Sequence, residues 1–255
     1  MKKFILVCFI FSSFGFAKKS HLESGIRAYQ TRDAGSHGMT AQNGPINYAI
    51  KEFIKAQKEP QNELDAGIFL LKCYYYKGKF VVQSEDDKKV VFQKGKSLGE
   101  SLIDTFPESA AVRYWYCANL GSWAEVYGLF AAAKEGVADI MKTQAEKMIE
   151  LDAAYWNGGG YFMLGGTHLK SPYIPFLLSW PSNDKAVEYL TKSANTGVAT
   201  PTQTVYLARA LYKDGQKEKA KQLLHKLIAR GISKIEPVED FEQQSIAKDL
   251  LADWD

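Results

Sequence analysis

The sequence predicts an all-α protein, an irregular solenoid of four to five helical hairpins ended by a C-terminal capping helix. Three observations carry that prediction. Within Val205–Ala229, Leu207, Ala208, Leu211 and Tyr212 mark one helix, Gly215 sits at a turn, and Ala220, Leu224 and Leu227 mark a second. Small Ala208 and Ala220 let two antiparallel helices approach, and Leu207 and Leu224 fill the space around them. One hairpin cannot bury its own apolar face, and weaker copies recur upstream, so the hairpins stack. Finally, 46% of the 255 residues are hydrophobic and 13% aromatic, ample for a core. Almost no β-structure is expected.

The clean hairpin has the small-and-large pattern of a tetratricopeptide (TPR) repeat, and the other elements follow from it in order. A helix near Ser24–Thr31 pairs with Ile46–Lys58, where Ala49, Phe53, Ala56 and Pro60 give a small-large-small-stop pattern. The second hairpin sets Ala66, Leu70, Tyr74, Tyr75 and Gly78 against a helix of about Lys88–Asp104. There Gly95 and Gly99, one turn apart, lower helix propensity but permit very close packing. The third begins at Ala110 and closes with about Ala138–Leu151. The fourth starts at Tyr161 and returns along Asp184–Ala194, with Asp184 as the predicted N-cap. After Pro237 an amphipathic helix of roughly Phe241–Ala252 turns Ile246, Leu250 and Leu251 inward. The domain boundaries read 1–17, 18–236 and 237–255.

The first segment is an address. Met1-Lys2-Lys3 is basic, Phe4–Phe11 is apolar, and Gly15-Phe16-Ala17 is a small-x-small cleavage site, the pattern of a secretory signal. Cys8 does not make a lipobox, because Val7 precedes it and only four apolar residues separate it from Lys3. A periplasmic or secreted protein without a lipid anchor is expected. Removing residues 1–17 takes two lysines and no acids, so the formal charge falls from +3 to +1. A near-neutral chain argues against nucleic acid as the main partner. Cys73 and Cys117 lie in apolar helical segments and read as buried thiols, although an oxidising compartment also permits a bridge.

Four insertions, Ala34–Asn43, Phe80–Asp87, the residues around Gly128–Gly136, and Pro172–Asn183, each fall between the two helices of one hairpin. In a solenoid such loops emerge along one rim. The last contains PYIPFLLSWP, whose prolines forbid a regular helix. Its apolar residues predict a segment folded back over the open rim, or against another chain.

Read together, Arg32-Asp33, the aromatic-rich YYYKG, Arg113–Gly121 within PESAAVRYWYCANLGSWAEVYG, Gly158–Pro172 within ELDAAYWNGGGYFMLGGTHLKSP, DKAVEYLTKSA and the final hairpin give the chain its resemblance. It resembles the TPR accessory proteins, or T components, of tripartite ATP-independent periplasmic (TRAP) transporters. The arrangement is also similar to eukaryotic regulators of microtubule dynamics. The resemblance implies an all-helical periplasmic protein that associates with a solute-binding protein and holds an apolar ligand in a pore. A general envelope scaffold with no transporter link is the alternative, and a homo-oligomer is left open.

Catalytic motifs do not fit. Gly158-Gly159-Gly160 does not continue as GxGxxG, Gly95-Lys96-Ser97 lacks the glycine a P-loop needs at Val90, and no serine sits in a GxSxG elbow. His21, His37, His168 and His225 show no ligand spacing, so neither a metal nor another cofactor is expected. A non-catalytic binding protein is the resulting expectation. Consecutive helical residues point ~100° apart, so Tyr114, Trp115 and Tyr116 cannot all face one core. The candidate ligand- or partner-binding residues are Tyr75, Trp115, Asn119, Trp123, Tyr161, His168, Phe176 and Trp180. Asn119, one turn after Trp115, is read either as a polar anchor beside an apolar ring or as a buried amide tying two helices together.

Overall fold

A computed structural model describes residues 20–176 and 178–254 of the chain; the expected secretory segment 1–17 lies outside the described residues. The described residues form twelve α-helices. These are α1 (His21–Gln30), α2 (Asn43–Ala56), α3 (Glu63–Tyr76), α4 (Glu85–Thr105), α5 (Ala110–Tyr127) and α6 (Leu129–Lys134). There follow α7 (Val137–Asp152), α8 (Tyr155–Lys170), α9 (Asn183–Asn195), α10 (Pro201–Lys213), α11 (Lys217–Ala229) and α12 (Pro237–Trp254). Among the described residues there is no β-strand, only two isolated bridges, His37 with Thr40 and Ile174 with Leu178. The hairpins are α1/α2, α3/α4, α5/α7, α8/α9 and α10/α11, stacked in chain order.

Side-chain oxygens at the N-caps start the helices where the sequence permits. Ser20 and Thr200 each complete a capping box, with Glu23 and Gln203 respectively, and Pro201 occupies the first turn of α10. Helix α9 is capped by Ser182, whose hydroxyl accepts from the Lys185 N–H, rather than by Asp184 as the sequence predicts. Asp184 instead lies in the first turn, where its charge suits the positive helix end. The segment around Gly128–Gly136 is not an open loop, since it contains the short helix α6. The third unexpected element is a π-helical turn, Lys77–Val81, that extends α3 toward the second insertion.

Glycines set the spacing between α4 and α5. A Cβ on Gly99 would overlap the Tyr116 ring, and one on Gly95 would overlap the Asn119 side chain. The two helices therefore pack at a distance no larger residue permits.

The C-terminal helix does more than cap the stack. On one side Ala247 and Leu251 join the core of the later hairpins, and Trp254 stacks on Tyr212 with ring centroids 4.0 Å apart. Asp240 accepts from the Ser233 N–H at 2.9 Å and lies 3.4 Å from Arg230. On another side, the start of α12 reaches the first hairpin. Val238 is buried with Ile46, Phe53, Tyr76 and Phe80, and Glu239 binds Arg32 at 2.7 Å. Lys79, in the π-turn, binds Glu242 at 2.8 Å. The stack thus closes into a ring, with α12 as the link between the fifth hairpin and the first.

Candidate central cavity

The curl of the stack and the contacts of α12 with the first hairpins form a cavity of about 670 Å³, open to solvent on one side. That lies within the range of sites for small organic ligands, ~300–1,000 Å³. Its walls come from the first helices α3, α5, α8 and α10, from α12, and from the insertions around Phe80, Leu129 and Ile174. Three of the four insertions therefore reach the same cavity. Most of the wall is apolar or aromatic.

The aromatic side is built by α5 and a strained entry to α8. The Trp156 ring meets the Tyr114 ring at 5.9 Å and the Trp115 ring at 5.2 Å, and Tyr75 meets Trp115 at 5.9 Å. Trp156 reaches this position because Trp156, Asn157 and Gly158 all adopt left-handed backbone, with φ of 50°, 55° and 77°. Such conformations cost roughly 1–3 kcal/mol at a non-glycine residue and persist only where surroundings hold them. Here Gln203 Nε2 donates to the Asn157 carbonyl at 2.8 Å and to Ser193 Oγ at 2.9 Å. Gly158 lies so close to Ser193 that an added Cβ would stand 3.0 Å from its Cα. Gly158 is therefore a site of close approach to α9, and Gly160, whose added Cβ would stand 3.2 Å from the Ile149 nitrogen, one of close approach to α7.

The polar side is supplied by α10, α12 and the π-turn. Lys79 pairs with Glu242, and Lys170 pairs with Glu125 at 3.1 Å. Burial pushes the Tyr206 phenol up to about 12, helped by the negative charge of Glu125, and drives the Tyr75 phenol well above its ordinary value. Both phenols are neutral at physiological pH. Arg32 holds the start of α12: it is 5% exposed, lies over the Tyr29 ring at 4.5 Å, and contacts Glu239 and Glu236. Burial raises the Glu239 carboxyl, although Arg32 opposes that shift.

Among the candidates, the structure brings Tyr75 and Trp115 to the cavity wall together. Asn119 is completely buried elsewhere, its amide nitrogen donating to the Leu71 carbonyl at 3.0 Å and the Trp115 carbonyl at 2.8 Å. It ties α5 to α3. Trp123 stacks on Tyr127 and donates from Nε1 to Gln93 at 2.8 Å, between α5 and α4. Tyr161 is partly buried on α8 and does not line the cavity. His168 and Trp180 form the anchor of the Pro172–Pro181 segment. Their rings meet edge-on at 4.9 Å, Trp180 Nε1 donates to Asp139 at 2.8 Å, and the Ser182 N–H donates to His168 Nδ1 at 3.2 Å. Burial, with Lys142 and Lys185 nearby, lowers the His168 pKa, so the ring is neutral.

That segment does fold back over the rim. Ile174 and Leu178 exchange two backbone hydrogen bonds of 2.8 Å and both line the cavity. Phe176, at the tip with φ of 66°, is fully exposed, and Tyr173, Leu129 and Phe130 are exposed as well. Cys73 and Cys117 are unbridged and buried, and burial pushes the Cys117 thiol up to about 12. Sequence reasoning did not single out Trp156, Arg209, Glu242 or Gln243. An Asn-Gly step before two more glycines was the available signal for Trp156; the α12 residues gave none. No cluster of metal-ligating side chains occurs, and no helix is long and apolar enough to cross a membrane, among the described residues.

These features define a TPR-like helical solenoid. No protein-family model matches the chain, and no curated protein matches it by sequence. Among solved structures, the chain is similar to a thermophilic TPR protein of Thermus thermophilus, at 13% identity. The superposition has a TM-score of 0.59 and covers 89% of this chain and 97% of that one. At that identity the likeness is one of fold.

Proposed function

We propose that this chain is a non-catalytic TPR-type accessory protein of the cell envelope. In this reading it is exported by residues 1–17, holds an apolar ligand in the central cavity, and associates with a protein partner. The resemblance to TRAP accessory proteins makes a periplasmic solute-binding protein the partner of choice. The observation that carries the reading is the cavity itself, a space of about 670 Å³ with aromatic walls, open to solvent on one side. A scaffold that only displays a surface has no use for such a space. The exposed rim residues Leu129, Phe130, Tyr173 and Phe176 support a partner docking beside the cavity mouth.

The test uses the neutral dye Nile red with delipidated protein. Wild type should bind it with a blue-shifted emission. Ala118→Trp, which fills the wall beside Trp115, should abolish binding while retaining helicity. Equal binding by both proteins would show that the cavity is not the site. Protein recovered from the envelope should begin at Lys18, and intact Met1 in membranes would refute cleavage and release.

A further inference from the structure

The cavity read above as an apolar-ligand site also has a charge balance, and on that reading the balance defines the ligand's polar group. The wall carries six carboxylates against three cationic side chains. One of those cations, Arg209, lies with Leu250 and Trp254 near the end of α12. Four of the six acids gather around the start of that helix. There Glu236, Glu239, Asp240 and Glu242 meet only three cations at ion-pair distance among the described residues, Arg32, Arg230 and Lys79. Arg32 serves both Glu236 and Glu239, so one negative charge is left over.

Glu239 and Gln243 stand one helical turn apart on α12, so their side chains share a face, and both line the cavity. Arg32 binds only Oε1 of Glu239, through two of its nitrogens at 3.1 and 2.7 Å. Glu239 Oε2 has no hydrogen-bond partner, and neither has Gln243 Oε1, although Gln243 is only 7% exposed. The Gln243 amide is not simply turned end for end, because its Nε2 donates to Glu242 at 2.9 Å and Lys79 holds that carboxylate. Buried acceptors are almost always paired in native proteins, so these two point to a donor that completes them. The last torsion of each side chain is soft enough to swing its free oxygen toward the chamber. Tyr75 is their aromatic neighbour: its phenol feels the charges of Glu242 and Glu239, and its ring meets Trp115.

We infer that the cavity takes an amphiphile whose apolar body lies along the aromatic wall and whose head is a protonated primary or secondary amine, seated at the start of α12. The ammonium donates to Gln243 Oε1 and Glu239 Oε2 and offsets the surplus negative charge. Its cation also suits the aromatic faces beside it. An anionic head would add to the surplus. A hydroxyl would pair with one acceptor and leave the charge as it is.

Three probes with one tail test this: dodecylamine, dodecyltrimethylammonium and dodecan-1-ol, each displacing Nile red at pH 7.5, where the amine is protonated. Dodecylamine should bind about tenfold more tightly than dodecan-1-ol, with dodecyltrimethylammonium, which has the charge but no donor, about threefold tighter than the alcohol. Glu239→Gln, which keeps an oxygen for Arg32, should remove the advantage of the quaternary cation over the alcohol and most of that of dodecylamine. Gln243→Met should reduce the advantage of dodecylamine over dodecyltrimethylammonium and leave the quaternary cation's own affinity unchanged. Equal affinities for dodecylamine and dodecan-1-ol in wild type, or unchanged ratios in Glu239→Gln, would overturn the head-group assignment while leaving an apolar site intact. Equal affinities for the two cations would overturn the donor half. Failure of all three probes to displace the dye would overturn the apolar-ligand reading itself. If Glu239→Gln loses its helical signal, Gln243→Met and the wild-type series still decide the question.

Discussion

Substituting Gly95 by Ala separates two opposed effects that the sequence alone cannot rank. Alanine is the better helix former by ~0.8–1.0 kcal/mol, so propensity alone predicts a gain. Yet the new Cβ would overlap the Asn119 amide, whose nitrogen donates to the Leu71 and Trp115 carbonyls. The overlap both crowds α4 against α5 and drives Asn119 from its partners. Overpacking costs about 1–3 kcal/mol, and stranding a fully buried amide costs about 1–3 kcal/mol more. Against the propensity gain, the net expectation is a loss of about 1–5 kcal/mol. For a chain of this size that corresponds to a fall in Tm of roughly 2–20 °C, since 1 kcal/mol shifts it ~2–4 °C. Thermal melts followed by circular dichroism measure this directly. Combining Gly95→Ala with Asn119→Ala should cost less than the two changes added together, because the overlap disappears with the amide. An unchanged or raised Tm in Gly95→Ala would refute the claim that close approach, rather than tolerance, keeps glycine there.

Other outcomes follow from the same structure. His168 has a folded pKa below its ordinary 6.5, so the unfolded chain takes up the proton first and stability falls as pH drops through that value. His168→Phe keeps a ring against Trp180 and should flatten the Tm profile between pH 7.5 and 5. Arg32→Met leaves Glu239 facing a buried apolar side chain; losing one partner of a largely buried pair costs about 3–5 kcal/mol. Hydrogen exchange should then rise first across 237–245, and a uniform rise over the whole chain would count against a separate latch. Phe176→Ser should move stability by less than about 0.5 kcal/mol because the side chain is fully exposed. Trp180→Ser should cost about 1–3 kcal/mol through the lost Asp139 hydrogen bond and ring contact. Equal effects would refute the division of the segment into an anchor and a free tip.

What could be read from the chain depended on the distance over which the information acts. The five hairpins were legible because Ala208, Ala220, Leu207 and Leu224, and their upstream counterparts, encode packing between near neighbours. The role of Gly95 and Gly99 was legible for the same reason. Tyr75 and Trp115 could be placed on the cavity because both sit on first helices, which line the concave side of such a stack. Asn119 has the same spacing under either of its two readings, and only the position of the Leu71 carbonyl on α3 decides which one holds. The ring was not legible. The residues that close it, Glu239 and Glu242 on α12 with Arg32 and Lys79, are charged and look like a solvated helix face in sequence. Arg209 suffers the same ambiguity, since an arginine on a helix is ordinarily exposed.

The Arg32–Glu239 contact joins positions 207 residues apart. An open stack of hairpins can gain or lose a unit and remain a stack, because each unit answers only to its neighbours. A closed one cannot, since adding or deleting a single hairpin would displace α12 from Arg32 and Lys79. The copy number in this protein is therefore fixed by a geometric condition that no individual repeat contains. Change is confined to the linkers between helices and to the side chains on the inner wall. The same condition makes assembly end-dependent: every hairpin can form before the last helix is available, but the inner chamber has no boundary until the chain's final helix arrives.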